Sequence, residues 1–159
     1  HGSIWVSTFP VFANALVKDA LTEQKLPFLK GYSDFSNEVK VGNSRFDFKL
    51  TFPQNLAYVE VKSVSLVEKA VGKFPDSPTE RGVKHVKELL ELCAKGYRAA
   101  VVFVSQRSDT RSITCNDDID PVFGEWLRKA HDKGVEIYGM NCKVTPTTIS
   151  LNKVVKVVL

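Results

Sequence analysis

Arg45-Phe46-Asp47-Phe48-Lys49-Leu50 and, after a short break, Ala57-Tyr58-Val59-Glu60-Val61-Lys62-Ser63-Val64 are the stretches on which the reading of this chain turns. Both read as buried strands, rich in aromatic and β-branched residues. Into their middles are set Asp47, Glu60 and Lys62. Charge in the middle of a covered sheet is costly unless something uses it. Two carboxylates and an ammonium so placed are what a divalent-metal phosphodiesterase requires.

Pairing arithmetic brings these charges together. Opposed residues in an antiparallel pair keep a constant index sum. A connection centred on Pro53-Gln54 sets Asp47 opposite Glu60, and a turn at Gly42-Asn43, a favoured hairpin dipeptide, sets Glu38 opposite Asp47. Three acids on adjacent strands are then expected side by side. Lys62 falls on the face of Glu60, because side chains alternate, while Phe46, Phe48, Val59 and Val61 are expected to turn the other way into a core. Like charges this close call for a cation, and an all-oxygen set suits Mg²⁺ or Mn²⁺, with the Val61 carbonyl as a further ligand. The same pattern also suits a hairpin with a wet polar side, on which Lys62 merely bridges two acids.

Working outward, Pro10 to Leu21 reads as a helix, with Thr8 or Pro10 near its start. Strands are expected at Phe35 to Val41, Ser44 to Thr51 and Ala57 to Val67, then a loop from Gly72 to Pro78. Thr79 caps a helix to about Lys95, with Val83, Val86, Leu90 and Cys93 as its buried stripe. Arg98 to Val104 is almost wholly apolar, a strand covered on both faces. A polar loop from Gln106 to Asp118 follows. Asp120 then caps a helix from Pro121 to Lys133 that buries Val122, Phe123, Trp126 and Ala130, and Gly134 ends it. Closing strands are expected at Val135 to Val144 and Thr148 to Val158. The order αβββαβαββ makes this an α/β domain, a mixed β-sheet flanked by helices, expected as a single domain over residues 4–159.

The chain has 159 residues, 43% hydrophobic and 25% charged, enough for a full core. Its net charge of +4 and pI near 8.9 permit a polyanionic partner without demanding one. Cys93, Cys115 and Cys142 are odd in number and far apart, unlike a disulfide frame or zinc site, so an intracellular setting, cytoplasmic or organellar, is expected. No apolar run reaches the roughly 18–20 residues of a membrane-spanning helix, and no membrane partner is expected. His1-Gly2-Ser3 has the look of a tag scar.

Several further motifs carry a resemblance: Ser44-Arg-Phe-Asp-Phe48, Tyr58-Val-Glu-Val-Lys-Ser-Val64, Phe74-Pro-Asp-Ser-Pro-Thr-Glu-Arg-Gly82, Lys84-His85 and Phe103-Val-Ser-Gln-Arg-Ser-Asp109. Asp120-Pro121 and Gly134-Val-Glu136 add to it. Together, from about Asn14 to Leu151, they resemble the sugar fermentation stimulation protein A family. The resemblance implies that family's C-terminal part, a restriction-endonuclease-like fold of the PD-(D/E)XK nuclease superfamily. It matches Asp47 and Glu60 to the metal-binding acids and Lys62 to the catalytic lysine. Phe46 stands where the superfamily often has proline, and the family's small amino-terminal OB-like, nucleic-acid-binding domain is expected to be absent.

The expected activity is hydrolysis of phosphodiester bonds in nucleic acid, DNA ahead of RNA, by a metal-activated water. The alternative is a non-catalytic nucleic-acid-binding or regulatory module on the same fold. Candidate contacts to nucleic acid are Arg45, Thr79, Arg81, Lys84, Gln106 and Arg107, with phosphates as the principal target. Glu80 is a further candidate for the metal shell. His85 reads more readily as a satisfied core or surface residue than as a base.

Overall fold

A computed structural model describes residues 4–7 and 9–159, so the tag-like start and Thr8 lie outside the described residues. The elements run α1 (Val11–Thr22), β1 (Asp34–Val41), β2 (Ser44–Thr51), β3 (Leu56–Val64), β4 (Leu66–Glu68), β5 (Val71–Phe74), α2 (Glu80–Ala94), β6 (Arg98–Ser105), β7 (Ser112–Cys115), α3 (Pro121–Asp132), β8 (Glu136–Val144) and β9 (Ile149–Val158). The fold class is the expected one, a mixed sheet with flanking helices. The order αβββαβαββ is corrected by three short strands, β4, β5 and β7. The expected 57–67 strand ends at Val64, and a two-residue turn, Lys69-Ala70, with φ of 49° and 67°, folds β4 back on β5. Two left-handed residues in a row are the geometry of the favoured hairpin turn, but Lys-Ala lacks the Asn-Gly chemistry that announces it.

The sheet order is β1-β2-β3-β6-β8-β9-β7-β5-β4. β1, β2 and β3 are antiparallel, while β6 runs parallel to both β3 and β8. Both hairpin registers are as expected, with Val39 opposite Phe46 and Phe48 opposite Val59.

Two cores lie on opposite faces. Ala13, Val17, Ala20 and Leu21 of α1 pack on Ala57, Val59, Val61, Ala100, Val102 and Val104. Val83, Val86 and Leu89 of α2 and Phe123, Leu127 and Ala130 of α3 pack on Tyr58, Ala99, Val101 and Phe103. β6 alternates its side chains between the two, which explains its unbroken apolar run. Each large side chain fully buried this way contributes ~1.5–3 kcal/mol. The α2 stripe runs through Leu89 and Leu92, with Leu90 and Cys93 at its margin. On α3, Leu127 takes the buried place expected for Val122, which is 51% exposed. At 100° per residue, Val122 is turned off the line of Phe123, Leu127 and Ala130.

The β1–β2 hairpin breaks strict alternation. Phe35, Phe48 and Leu50 pack on the α1 side, whereas Val39, Val41 and Phe46 pack on the α2 side. The exchange occurs at Glu38, whose φ is 53°, and at Asp47 opposite it. The expectation that Phe46 shares a core with Phe48, Val59 and Val61 is therefore corrected. All four are buried, but Phe46 sits in the other core.

Candidate metal and catalytic site

The β2–β3 ladder runs from Thr51↔Leu56 to Phe48↔Val59 and stops there. Beyond it the two strands part, and Asp47 fills the gap. Its Oδ2 accepts the Val61 backbone N–H at 2.7 Å, and its Oδ1 accepts Nδ2 of Asn14, on α1, at 2.6 Å. A residue's N–H and C=O leave a strand toward the same edge, so the Val61 carbonyl also faces this gap.

Glu60, only 4% exposed, lies toward α2. Its Oε1 accepts Nζ of Lys62 at 2.7 Å and approaches Nδ1 of His85 at 2.5 Å. Its Oε2 is buried and has no hydrogen-bond partner. Helix α2 delivers His85, and two side chains fix the start of that helix, Thr79 as its cap and Asp120 as a tether. Thr79 Oγ1 accepts from Gly82 N at 3.0 Å, and Asp120 accepts from both Thr79 N (2.8 Å) and Phe123 N (2.9 Å). One carboxylate thus fastens the N-termini of α2 and α3 together.

The two acids are pushed in opposite directions. Burial, and then the charge of Glu60, raise the Asp47 carboxyl above its ordinary value, only partly offset by the Val61 amide, Asn14 and Lys62. Burial alone would also raise Glu60, but His85 and Lys62 outweigh it and hold Glu60 below its ordinary value.

The structure brings together Asp47, Glu60, Val61 and Lys62, and adds Asn14 and His85. It does not bring Glu38. Among the described residues no three His, Cys, Asp or Glu side chains gather as a metal site. Glu38 keeps its register opposite Asp47, but its left-handed backbone takes it out of the pleat and leaves it exposed. What remains is two carboxylates and a backbone carbonyl. This set suits a hard, oxygen-seeking cation, and the unpartnered Glu60 Oε2 supplies a free donor atom.

The expected nucleic-acid contacts divide. Arg45 and Arg81 are exposed, as is Lys84, whose Nζ donates to the Asn43 carbonyl at 3.0 Å. Thr79 spends its hydroxyl as the α2 cap. Gln106, expected at an open edge, is 2% exposed, and its Nε2 donates to the Phe9 carbonyl (2.9 Å) and Ser63 Oγ (3.1 Å). Arg107 is held by Asp109 through two bonds of 2.9 and 2.7 Å. Glu80 is exposed in the first turn of α2 and belongs to no acidic cluster. His85 and Asn14 are the residues that sequence reasoning undervalued. The hint for Asn14 was a polar residue at the margin of an apolar helix stripe, and His85 had besides that only its place in the Lys84-His85 motif.

Residues 11–148 match the family described as sugar fermentation stimulation protein RE domain. The chain belongs to this family. It is 46% identical over 149 residues to a sugar fermentation stimulation protein homolog of Caldanaerobacter subterraneus, covering 94% of this chain and 63% of that protein. A homolog from Desulforamulus reducens is 42% identical over 159 residues, with 100% and 66% covered. The chain thus spans just under two thirds of the length of these relatives. SfsA of Pyrococcus furiosus, whose structure is described as a complex with Ca²⁺, superposes with a TM-score of 0.88 at 28% identity, over 94% of this chain and 65% of that one. No described helix is long and apolar enough to cross a membrane.

Proposed function

We propose that this member of the sugar fermentation stimulation protein family is a metal-dependent nuclease that hydrolyses phosphodiester bonds of nucleic acid, with DNA as the first substrate class and RNA the second. The observation that carries this reading is Glu60 Oε2, a buried carboxylate oxygen without a partner, beside a second carboxylate whose ionisation burial opposes. Leaving such an atom unsatisfied is expensive unless a ligand completes it. Asp47, Glu60 and the Val61 carbonyl would hold Mg²⁺ or Mn²⁺. A cation there supplies Lewis-acid polarisation of a phosphoryl oxygen and lowers the pKa of water.

The protein's own groups do the positioning. Asn14 and the Val61 amide each take one oxygen of Asp47, leaving a second lone pair on each for a ligand. Lys62, whose side chain is 12% exposed, stands beside Glu60, where its ammonium orients the attacking water and offsets charge growing on the phosphate. Exposed Arg45, Arg81 and Lys84 are available to the nucleic-acid backbone. The order α1, three antiparallel strands, α2 and a strand parallel to β3 supports the restriction-endonuclease-like reading, and the Ca²⁺ complex of the Pyrococcus protein supports a hard cation.

The test is incubation with labelled single- and double-stranded DNA and RNA in Mg²⁺, Mn²⁺ or EDTA. Cleavage that needs the metal and disappears in Asp47→Ala and Lys62→Ala is expected. Salt-dependent binding with no turnover in any metal would instead identify a recognition module.

A further inference from the structure

We infer that His85 is a positioning residue for Glu60. It holds Oε1, so that Oε2 faces the cation and Lys62 is free to serve the substrate. This inference rests on the metal-site reading above.

Two nitrogens crowd one oxygen. Lys62 Nζ lies 2.7 Å and His85 Nδ1 2.5 Å from Glu60 Oε1, and the two nitrogens are 3.4 Å apart. An ionised carboxylate only accepts, so the His85 proton on this side must sit on Nδ1. Nδ1 then has no lone pair for the lysine, and the 3.4 Å approach is two donors sharing one acceptor. The imidazole has little freedom to leave. It is 3% exposed, and the Phe46 ring packs on it at 5.9 Å between centroids.

This arrangement separates two duties that one lysine would otherwise combine. With Lys62 as the sole partner, any movement of its ammonium toward a phosphate or a water would strip Glu60 of its only hydrogen bond in a buried place. With His85 in place, Oε1 stays satisfied while Lys62 moves. The carboxylate plane is pinned at one oxygen, which fixes where the free Oε2 sits. Partners that orient a ligand in this way typically govern about 10–100-fold of metal affinity.

The experiment compares wild type with His85→Asn and His85→Gln by Mn²⁺ titration calorimetry without substrate, alongside melting in EDTA and cleavage kinetics. Asparagine keeps a donor close to the place of Nδ1, whereas glutamine moves it out by about one bond. Melting in EDTA shows whether either change disturbs α2. Asparagine is expected to bind Mn²⁺ within about threefold of wild type, and glutamine to weaken it about tenfold or more, with kcat falling further than KM rises. Wild-type affinity in both variants, or equal weakening in both, would overturn the role of His85 while leaving the metal site standing. Failure of wild type itself to bind Mn²⁺ would instead remove the metal site and the inference with it.

Discussion

Replacing Glu60 with glutamine keeps the volume and one acceptor oxygen but removes the charge. The structure sets the cost. Glu60 Oε1 takes bonds from Lys62 at 2.7 Å and His85 at 2.5 Å in a setting only 4% exposed. Hydrogen bonds to a buried charged group are worth about 1.5–3 kcal/mol each, and breaking a buried pair by removing one partner costs about 3–5 kcal/mol. Against this, the variant no longer buries a carboxylate, and its amide oxygen in the place of Oε1 still meets both donors without the charge, so a net loss of ~2 kcal/mol is expected. For a chain of this length that lowers Tm by about 4–8 °C.

Metal provides the second readout. At ten times its Kd, a bound cation adds ~1.4 kcal/mol to wild type, or about 3–6 °C, and this gain is expected to vanish in the variant. Acid provides the third. Glu60 is held below its ordinary value of 4.5, so its contribution is complete above that pH and is lost as pH falls through the depressed value. The gap between wild type and Glu60→Gln should therefore be full at neutral pH and close on acidification. Scanning calorimetry in EDTA and in Mn²⁺, at pH 7 and along an acid series, measures all three. A variant as stable as wild type in EDTA, or one that gains equally from Mn²⁺, would refute the reasoning.

Asp47 behaves in the opposite sense. Its raised pKa means that ionisation costs the fold stability as pH climbs through the folded value. Asp47→Asn is expected to melt higher than wild type in EDTA at pH 7–8, by about 0.5–1 kcal/mol, while losing cleavage, as calorimetry and a nuclease assay would check. Lys62→Met should lower kcat by about 10²–10⁴ while nucleic-acid affinity, followed by fluorescence anisotropy, changes only a few-fold. Asp120→Ala should cost about 1–3 kcal/mol in urea unfolding, because it removes the α3 cap and, with it, the bond that holds the Thr79 N–H at the start of α2.

The elements legible in the sequence were those whose signals are local. Thr79 and Asp120 announced their helices, and the apolar run of β6 announced a strand covered on both faces. Pro53-Gln54 and Gly42-Asn43 set registers that the ladders keep. What stayed hidden depends on backbone conformations that the side chains do not advertise. Lys69-Ala70 turns a hairpin without turn chemistry, and Glu38 adopts a left-handed φ that a glutamate adopts only under tertiary constraint. Arithmetic could place Glu38 opposite Asp47, but it could not show that its side chain leaves the cluster. The burial of Gln106 and the bond from Asn14 to Asp47 are long-range contacts, set by how α1 and the amino-terminal segment lie on the sheet. No periodicity encodes them.

The exchange of faces in the β1–β2 hairpin makes that hairpin a clasp between two hydrophobic compartments. Phe48 anchors it in one and Phe46 in the other, and Asp47 is the single link between them. Shortening or lengthening the clasp by one residue between Asn37 and Phe48 would pull an anchor from its compartment and swing the acid away from the Val61 amide. The spacing of this loop-back is thus as much a part of the reactive centre as the carboxylate it carries.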